Sequence, residues 1–446
     1  MRSFRIAGLA ILLAFGSHAC RGGKDSASSQ QGAGDQPGTS DTPTPVTVSP
    51  PQGLPAIADL PRTTDPVTSL SGLDKRITRT EKRLRDHPEL SHIYPELIAM
   101  ITTRASVLGD PDDHGRAVEL AEAYVAASPK GSRSHITRAR VRASLHRFDD
   151  ASSDLALAVE LGAHPSEIED QLLTIAFARG QLDDAARRAS ALVEKAPSAG
   201  NLVLLATILD AIGKRQEAEE KFRAGLAALR SVSPLELSWL LFQWGRIYEK
   251  SGELARARYL YEIAHARLPR YSAAASHLAS ILNASGDRER ARTMLNALVA
   301  DSSNPEYLGL LTGIERELGN DELADQLASR ATAGFDALLS RFPTAFADHA
   351  ARYFLGPGNN PTRAFALAKQ DLAIRQTSES YALAIEAGLA AKASEEACDL
   401  AQPVATLPHA SKSVLFQAWR AFGACERSEA RDQLAARLGI EAPSRP

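Results

Sequence analysis

The chain reads as an all-α protein, a right-handed α-solenoid of about ten stacked antiparallel helix pairs. Three observations predict it. From residue 71 onward strand-like alternation is nearly absent, and apolar residues recur at helical spacing. An alanine returns near the start of every second helix, at Ala117, Ala151, Ala185, Ala218, Ala257, Ala291, Ala324, Ala364, Ala397 and Ala430; the separations are 34, 34, 33, 39, 34, 33, 40, 33 and 33. Turn-forming stretches such as FARGQLDDA, EKSGELARA and RELGNDELA fall between the helices at the same period. A fixed period of roughly 20–50 residues marks stacked units rather than one globular core.

The N-terminus comes before the array and has a different composition. MRSFR supplies two arginines, IAGLAILLAF ten mostly apolar residues, and GSHAC a small-residue zone, so residues 1–19 are expected to be a signal peptide. The apolar run falls well short of the ~20 residues a membrane-spanning helix needs. Residues 20–70 are expected to form a disordered tether. From Gly23 to Pro66 there is no aromatic residue, and Ser, Thr, Pro, Gln and Gly crowd the stretch. Such a segment buries too little apolar area to offset chain entropy. Residues 71–97 are expected to supply a capping helix, since a solenoid end needs a polar cover.

Within each period a first helix ends at a glycine or polar turn; Gly180, Gly213, Gly252, Gly286 and Gly319 fit that terminus. The marker alanine then lets the second helix approach closely, and a proline closes several units, at Pro129, Pro165, Pro197 and Pro269. Extra residues precede Ala257 and Ala364. The first excess is expected to lengthen a second helix and add a loop before Ser238. The second holds the turn FLGPGNNP. These irregularities divide the array into blocks at 98–237, 238–344 and 345–440, with a flexible tail over 441–446.

On these residues the chain resembles the tetratricopeptide repeat family. Residues 238–271 carry the resemblance best: Trp244, Gly245, Tyr248, Gly252, Ala257, Tyr261, Ala264 and Pro269 stand on signature positions. The likeness extends over roughly 98–440 and is weakest in 345–440, which rests on alanine spacing. The N-terminus is similar to a bacterial lipoprotein signal, which implies lipidation of Cys20. Ala19 suits that pattern, Ser17 and His18 depart from it, and a plain secretory cut after Ala19 also fits. Arg21 in place of aspartate implies the outer membrane.

The repeat resemblance implies a concave surface lined by first helices and suited to a peptide or a partner helix. On family positions Trp239, Phe242, Arg246 and Lys250 face inward, with Arg140 from an earlier unit. Two readings stand for Trp239 and Phe242: core residues against the loop at 230–237, or an aromatic anchor flanked by Arg140, Arg246 and Lys250. The lysine–asparagine pattern of chaperone-binding relatives is absent. Cys398 and Cys425 are either bridged or free, since spacing alone does not fix their separation.

The remaining classes are excluded on composition and motif. Fifty-one basic residues against 54 acidic ones leave a net charge of -3, which asks for no nucleic acid. Three cysteines, scattered histidines and no HExxH motif give no metal site, and no phosphate loop or GxSxG elbow occurs. No cofactor, small-molecule substrate or enzymatic activity is therefore expected. The expected function is a protein-binding scaffold of the bacterial cell envelope, lipid-anchored or, failing that, soluble in the periplasm or secreted. The alternative is a structural subunit of an envelope biogenesis, secretion, pilus or motility, or polysaccharide-export complex.

Overall fold

The computed structural model describes residues 50–440. The signal peptide, Cys20, most of the tether and the tail over 441–446 lie outside the described residues.

A first helix, α1 (Pro66–Asp86), precedes ten antiparallel pairs. The first five pairs are α2 (Tyr94–Leu108) with α3 (Pro111–Ala127), α4 (Ser132–Ser144) with α5 (Phe148–Glu160), α6 (Glu169–Ala178) with α7 (Leu182–Lys195), α8 (Ala199–Ala211) with α9 (Arg215–Ala228), and α10 (Pro234–Lys250) with α11 (Leu254–Arg267). The last five are α12 (Ser272–Ala284) with α13 (Arg288–Asp301), α14 (Pro305–Glu317) with α15 (Asp321–Arg341), α16 (Ala347–Leu355) with α17 (Pro361–Ile374), α18 (Ser378–Ala390) with α19 (Ser394–Ala401), and α20 (Lys412–Ala424) with α21 (Ser428–Leu438). Each marker alanine from Ala117 to Ala397 is buried, and Ala151, Ala185, Ala218, Ala257, Ala291, Ala324, Ala364 and Ala397 are fully so.

Each of the ten turns inside a pair holds one residue in the left-handed conformation. Six are glycines (Gly109, Gly180, Gly213, Gly252, Gly286, Gly319) and four are not (His146, Asn359, Lys392, Glu426). The pair 132–165, which lacks the glycine, therefore keeps the same turn with His146 at φ 57°.

Three expectations are corrected. The tether ends earlier than residue 70. Residues 51–64 lie as a strap along the array: Leu54 and Leu60 are buried in the main core, Arg223 donates to Gly53 O (3.2 Å) and Tyr259 to Pro55 O (2.9 Å), and Thr64 N donates to Val232 O (2.7 Å). Burying two leucines contributes about 1.5–3 kcal/mol each, which offsets the ordering of a short segment. The capping helix starts at Pro66, where Asp65 caps it by accepting from Thr68 N (2.7 Å), and the stretch up to 97 already enters α2. The extra residues before Ala257 lengthen the first helix of their pair: α10 has 17 residues, whereas α9 keeps 14. Those before Ala364 lengthen α15 to 21 residues. The core cluster runs unbroken across 237/238, from α6 to α15, so the first irregularity does not part the array.

The stack winds onto itself. The turn of pair one meets the loop before pair seven, where Ser302 Oγ donates to Gly109 O (2.9 Å). The turn of pair two meets the loop before pair eight: Thr344 Oγ1 donates to Leu145 O (2.7 Å), and the His146 ring bonds Thr344 O (3.2 Å). The turn of pair three meets the loop before pair nine, where Gln376 N donates to Arg179 O (3.2 Å). His409 reaches Asp183 at 3.1 Å. Six pairs thus complete one superhelical turn, and the next turn seats on its rim. The last pairs are joined covalently by a Cys398–Cys425 disulfide, with Cα atoms 6.6 Å apart.

Candidate functional site

The concave surface expected to receive a partner is filled by the chain itself. In α10 every residue from Leu237 to Glu249 is buried. Trp239 is 5 % and Phe242 2 % exposed, so neither anchors a ligand. Phe242 packs on Tyr261 and Tyr271 (centroids 5.5 Å each) and on the His277 ring at 5.2 Å. The reading of these two aromatics as core residues is the one the structure supports.

Arg246 and Glu249 belong to a buried polar network in the same place. His277 Nδ1 lies 2.8 Å from Glu249 Oε2, which also accepts from the Tyr261 hydroxyl at 2.8 Å. With that ring nitrogen donating, His277 Nε2 is left to accept from Arg246 Nη1 at 3.2 Å. Burial alone would raise the Glu249 carboxyl, but His277, Arg246 and Tyr261 outweigh it and hold the group at about 2. Lys250 crosses the interior to Glu379 of pair nine (2.6 Å). Arg140 lies half-buried in α4, three pairs earlier. The five candidate residues therefore form no open peptide site. Arg246 and Lys250 instead tie interior helices to one another.

A cleft of about 850 Å³ opens on the seam between successive turns. The turns of pairs two and three form one wall, and the loops before pairs eight and nine form the other. Three arginines reach it from three elements. Arg179, at the end of α6, lies over the Phe148 ring (5.7 Å) and pairs with Asp149; Arg341, at the end of α15, lies over Phe342 (5.1 Å) and pairs with Asp112 at 2.7 Å. Arg147 pairs with Asp150 at 2.8 Å. These acidic partners are half or more exposed, so the pairs are weak and exchangeable. Leu145, Ile374, Pro343 and Leu407 supply apolar wall.

Beneath the cleft, pairs eight and nine are tied together by buried charge. Arg375 bonds Asp348 of α16 (2.8 Å) and Asp371 of α17 (2.7 Å), and Ser380 Oγ donates to the other Asp371 oxygen (2.7 Å). Burial works against ionising Asp348, yet Arg375 and its neighbours hold it well below the usual carboxylate range. His349 bonds Glu306 (3.1 Å); burial would lower its ring, but Glu306 and Asp348 prevail and hold it at about 9. His146 faces the same charges without a carboxylate partner, and burial with Arg375 nearby pushes it down to about 3. It is thus a neutral wedge in the seam. Of these residues only His146 finds its hydrogen-bond partner, Thr344 O, 198 residues away; Arg375 pairs with Asp371 and Asp348 at separations of 4 and 27, and His349 with Glu306 at 43.

Among the described residues no group of three or more His, Cys, Asp or Glu side chains is placed to hold a metal. No described helix is long and apolar enough to cross a membrane.

Residues 249–314 match the tetratricopeptide repeat family. The fold is an all-α tetratricopeptide-repeat solenoid, and proteins of this architecture act as protein-interaction scaffolds. No curated protein matches the chain. Among solved structures it is similar to the human IFIT1 dimer with PPP-AAAA, at 14% identity over 77% of this chain and 72% of that one, with a TM-score of 0.38. It is also similar to yeast Tom70, at 13% identity over 82% of this chain and 100% of that one, TM-score 0.31. The Cut9-Hcn1 hetero-tetramer of APC/C is similar at 13% identity over 83% and 92%, TM-score 0.32.

Proposed function

We propose that the chain is a non-catalytic protein-binding scaffold of the bacterial cell envelope, lipid-anchored through Cys20 and engaging its partner at the seam cleft. The observation that carries this reading is the composite cleft itself. Winding closes the inner surface and places four separate loops, with three exchangeable arginines, around one outward-facing slot. A repeat array usually offers its concave side to a partner; here Arg246, Glu249 and Lys250 are already paired within the chain, and an acidic segment with apolar side chains fits the open cleft instead. The envelope assignment is supported by the N-terminal pattern ending at Cys20 and by the Cys398–Cys425 bridge, since disulfides persist in oxidising compartments.

Affinity capture from native membranes tests the cleft. A double variant Arg179→Glu, Arg341→Glu is expected to lose most captured partner while its thermal midpoint moves little, because exposed ion pairs contribute about 0–1 kcal/mol. Undiminished capture would sink the assignment. The anchor is tested by labelling with a radioactive fatty acid. Label is expected on the natural chain and absent from Cys20→Ser; equal labelling of both would remove the anchor. A second reading, a subunit packed permanently in an envelope complex, is favoured by the outer face of the last pair, where Phe416 is 43 % exposed and stacks 5.7 Å from Trp419. It predicts that the isolated chain self-associates and that Phe416→Ser suppresses this.

A further inference from the structure

We propose that the groove beneath residues 53–61 is a docking site for a proline-flanked segment of a partner protein that carries two leucines six positions apart, and that the chain's own strap holds it closed. The inference stands on different residues from the seam cleft and does not depend on that assignment.

The groove shows what it recognises through its present occupant. The strap, PPQGLPAIADLP, has prolines at 50, 51, 55 and 61 and two leucines six positions apart. Its backbone carbonyls are read by side-chain donors: Arg223 on Gly53 O and Tyr259 on Pro55 O. Its leucines, Leu54 and Leu60, enter the core beside α9, α10 and α11. Within the strap Leu54 N donates to Pro51 O (3.0 Å) and Ile57–Asp59 form a 3-10 turn, so the groove reads a turned segment through two of its carbonyls and its two leucines. Few residues of the strap are otherwise held. Gln52, Gly53, Ile57, Ala58 and Asp59 are exposed.

The strap also fits its groove incompletely. A cavity of about 590 Å³ remains between it and a wall of Arg223, Leu226, Leu229 and Trp244. The cavity opens to solvent beside Leu54, so a segment with a larger side chain at that place gains contacts with Leu226, Leu229 and Trp244 that the strap forgoes. A partner must still displace an intramolecular competitor, whose effective concentration is high because it is tethered. The tether end is defined. Thr64 stays bonded to Val232, and Asp65 caps α1, so release swings residues 51–63 without undoing the array.

The experiment uses the full chain and a fluorescein-labelled synthetic peptide with the sequence of residues 50–64, followed by anisotropy. In the variant Leu54→Asp, Leu60→Asp the strap is freed; the peptide is expected to bind it at least tenfold more tightly than it binds the natural chain. The same peptide carrying Leu54→Phe is expected to bind more tightly again, and Arg223→Glu in the freed chain to abolish binding. Equal affinity for both chains overturns the proposal, as does absence of binding to a freed variant whose helicity and melting match the natural chain. Should the variant fail to fold, hydrogen exchange on the natural chain decides. Excess Leu54→Phe peptide is expected to accelerate exchange over residues 52–60, and unchanged exchange overturns the proposal. A dimer in sedimentation that exchanges straps between copies would assign the groove to a second copy instead of a partner.

Discussion

Replacing Arg375 by methionine is expected to destabilise the chain by about 3–5 kcal/mol at neutral pH, because a buried charge pair then loses one member and leaves the other uncompensated. Two carboxylates are stranded, not one. Asp348 and Asp371 both bond Arg375 and are themselves almost fully buried. The pH dependence carries the diagnostic sign. In the natural chain Asp348 has a depressed folded pKa, so its contribution is present above the unfolded value near 3.8 and is lost only as pH falls through the folded value. Burial already raises the Asp371 carboxyl in the natural chain; without Arg375, burial and mutual repulsion raise Asp348 as well and Asp371 further. The folded variant then binds protons that the unfolded chain does not, and its stability rises as pH is lowered from 7 to 5. Urea unfolding at these two pH values measures it. A variant whose stability follows that of the natural chain over this range would show that Arg375 is not the counter-charge.

The second large effect concerns Gly180. Its φ of 81° lies in the left-handed region, and a Cβ added there would stand 2.5 Å from Gln376 O and 2.8 Å from Gln376 C, which are backbone atoms with no rotamer to escape into. Gly213 supplies the control, since its φ is 80° but a Cβ there meets nothing within 4 Å. Gly213→Ala is therefore expected to cost only the backbone strain, about 1–3 kcal/mol. Gly180→Ala adds separation of the rims and loss of the Gln376 N to Arg179 O bond, a further ~1–3 kcal/mol. Hydrogen exchange should accelerate at 374–380 in Gly180→Ala and not in Gly213→Ala, with an increased radius of gyration by small-angle scattering. Identical behaviour of the two variants would mean that the turns are not held together at this point.

How much of this was readable depends on the distance over which each feature acts. The ten pairs were legible because a marker alanine and a turn recur within one unit, where the chain needs no distant information. The left-handed turn at His146 was hidden, since the conformation is kept while the glycine is not. The lengthened α15 was masked by the more conspicuous FLGPGNNP turn beside it. Closure of the interior left one local trace that the repeat pattern overshadowed. α8, AGNLVLLATILDA, is apolar on every face and buries Leu202 to Ala206, Ile208 and Leu209. A helix apolar all round has no side left for solvent, and the same holds for LSWLLFQWGRIY in α10. Trp239 and Phe242 allowed both an anchor and a core reading, because family positions alone do not say whether the groove is open. The seam arginines have no such trace, because Arg147 and Arg179 meet Arg341 only after the array has wound.

Seam closure also alters the order in which the molecule can assemble. An open stack has neighbour contacts only, so it can nucleate anywhere and propagate. Here the rims of the first pairs find their partners 193 to 199 residues later in the chain. Closing so long a loop costs entropy before any seam bond repays it, which slows the final step. A chain delivered N-terminus first would carry pairs one to three with uncovered rims until pairs seven to nine arrive. Sealing the superhelix is then the last event of folding, and it turns ten semi-independent units into one cooperative body.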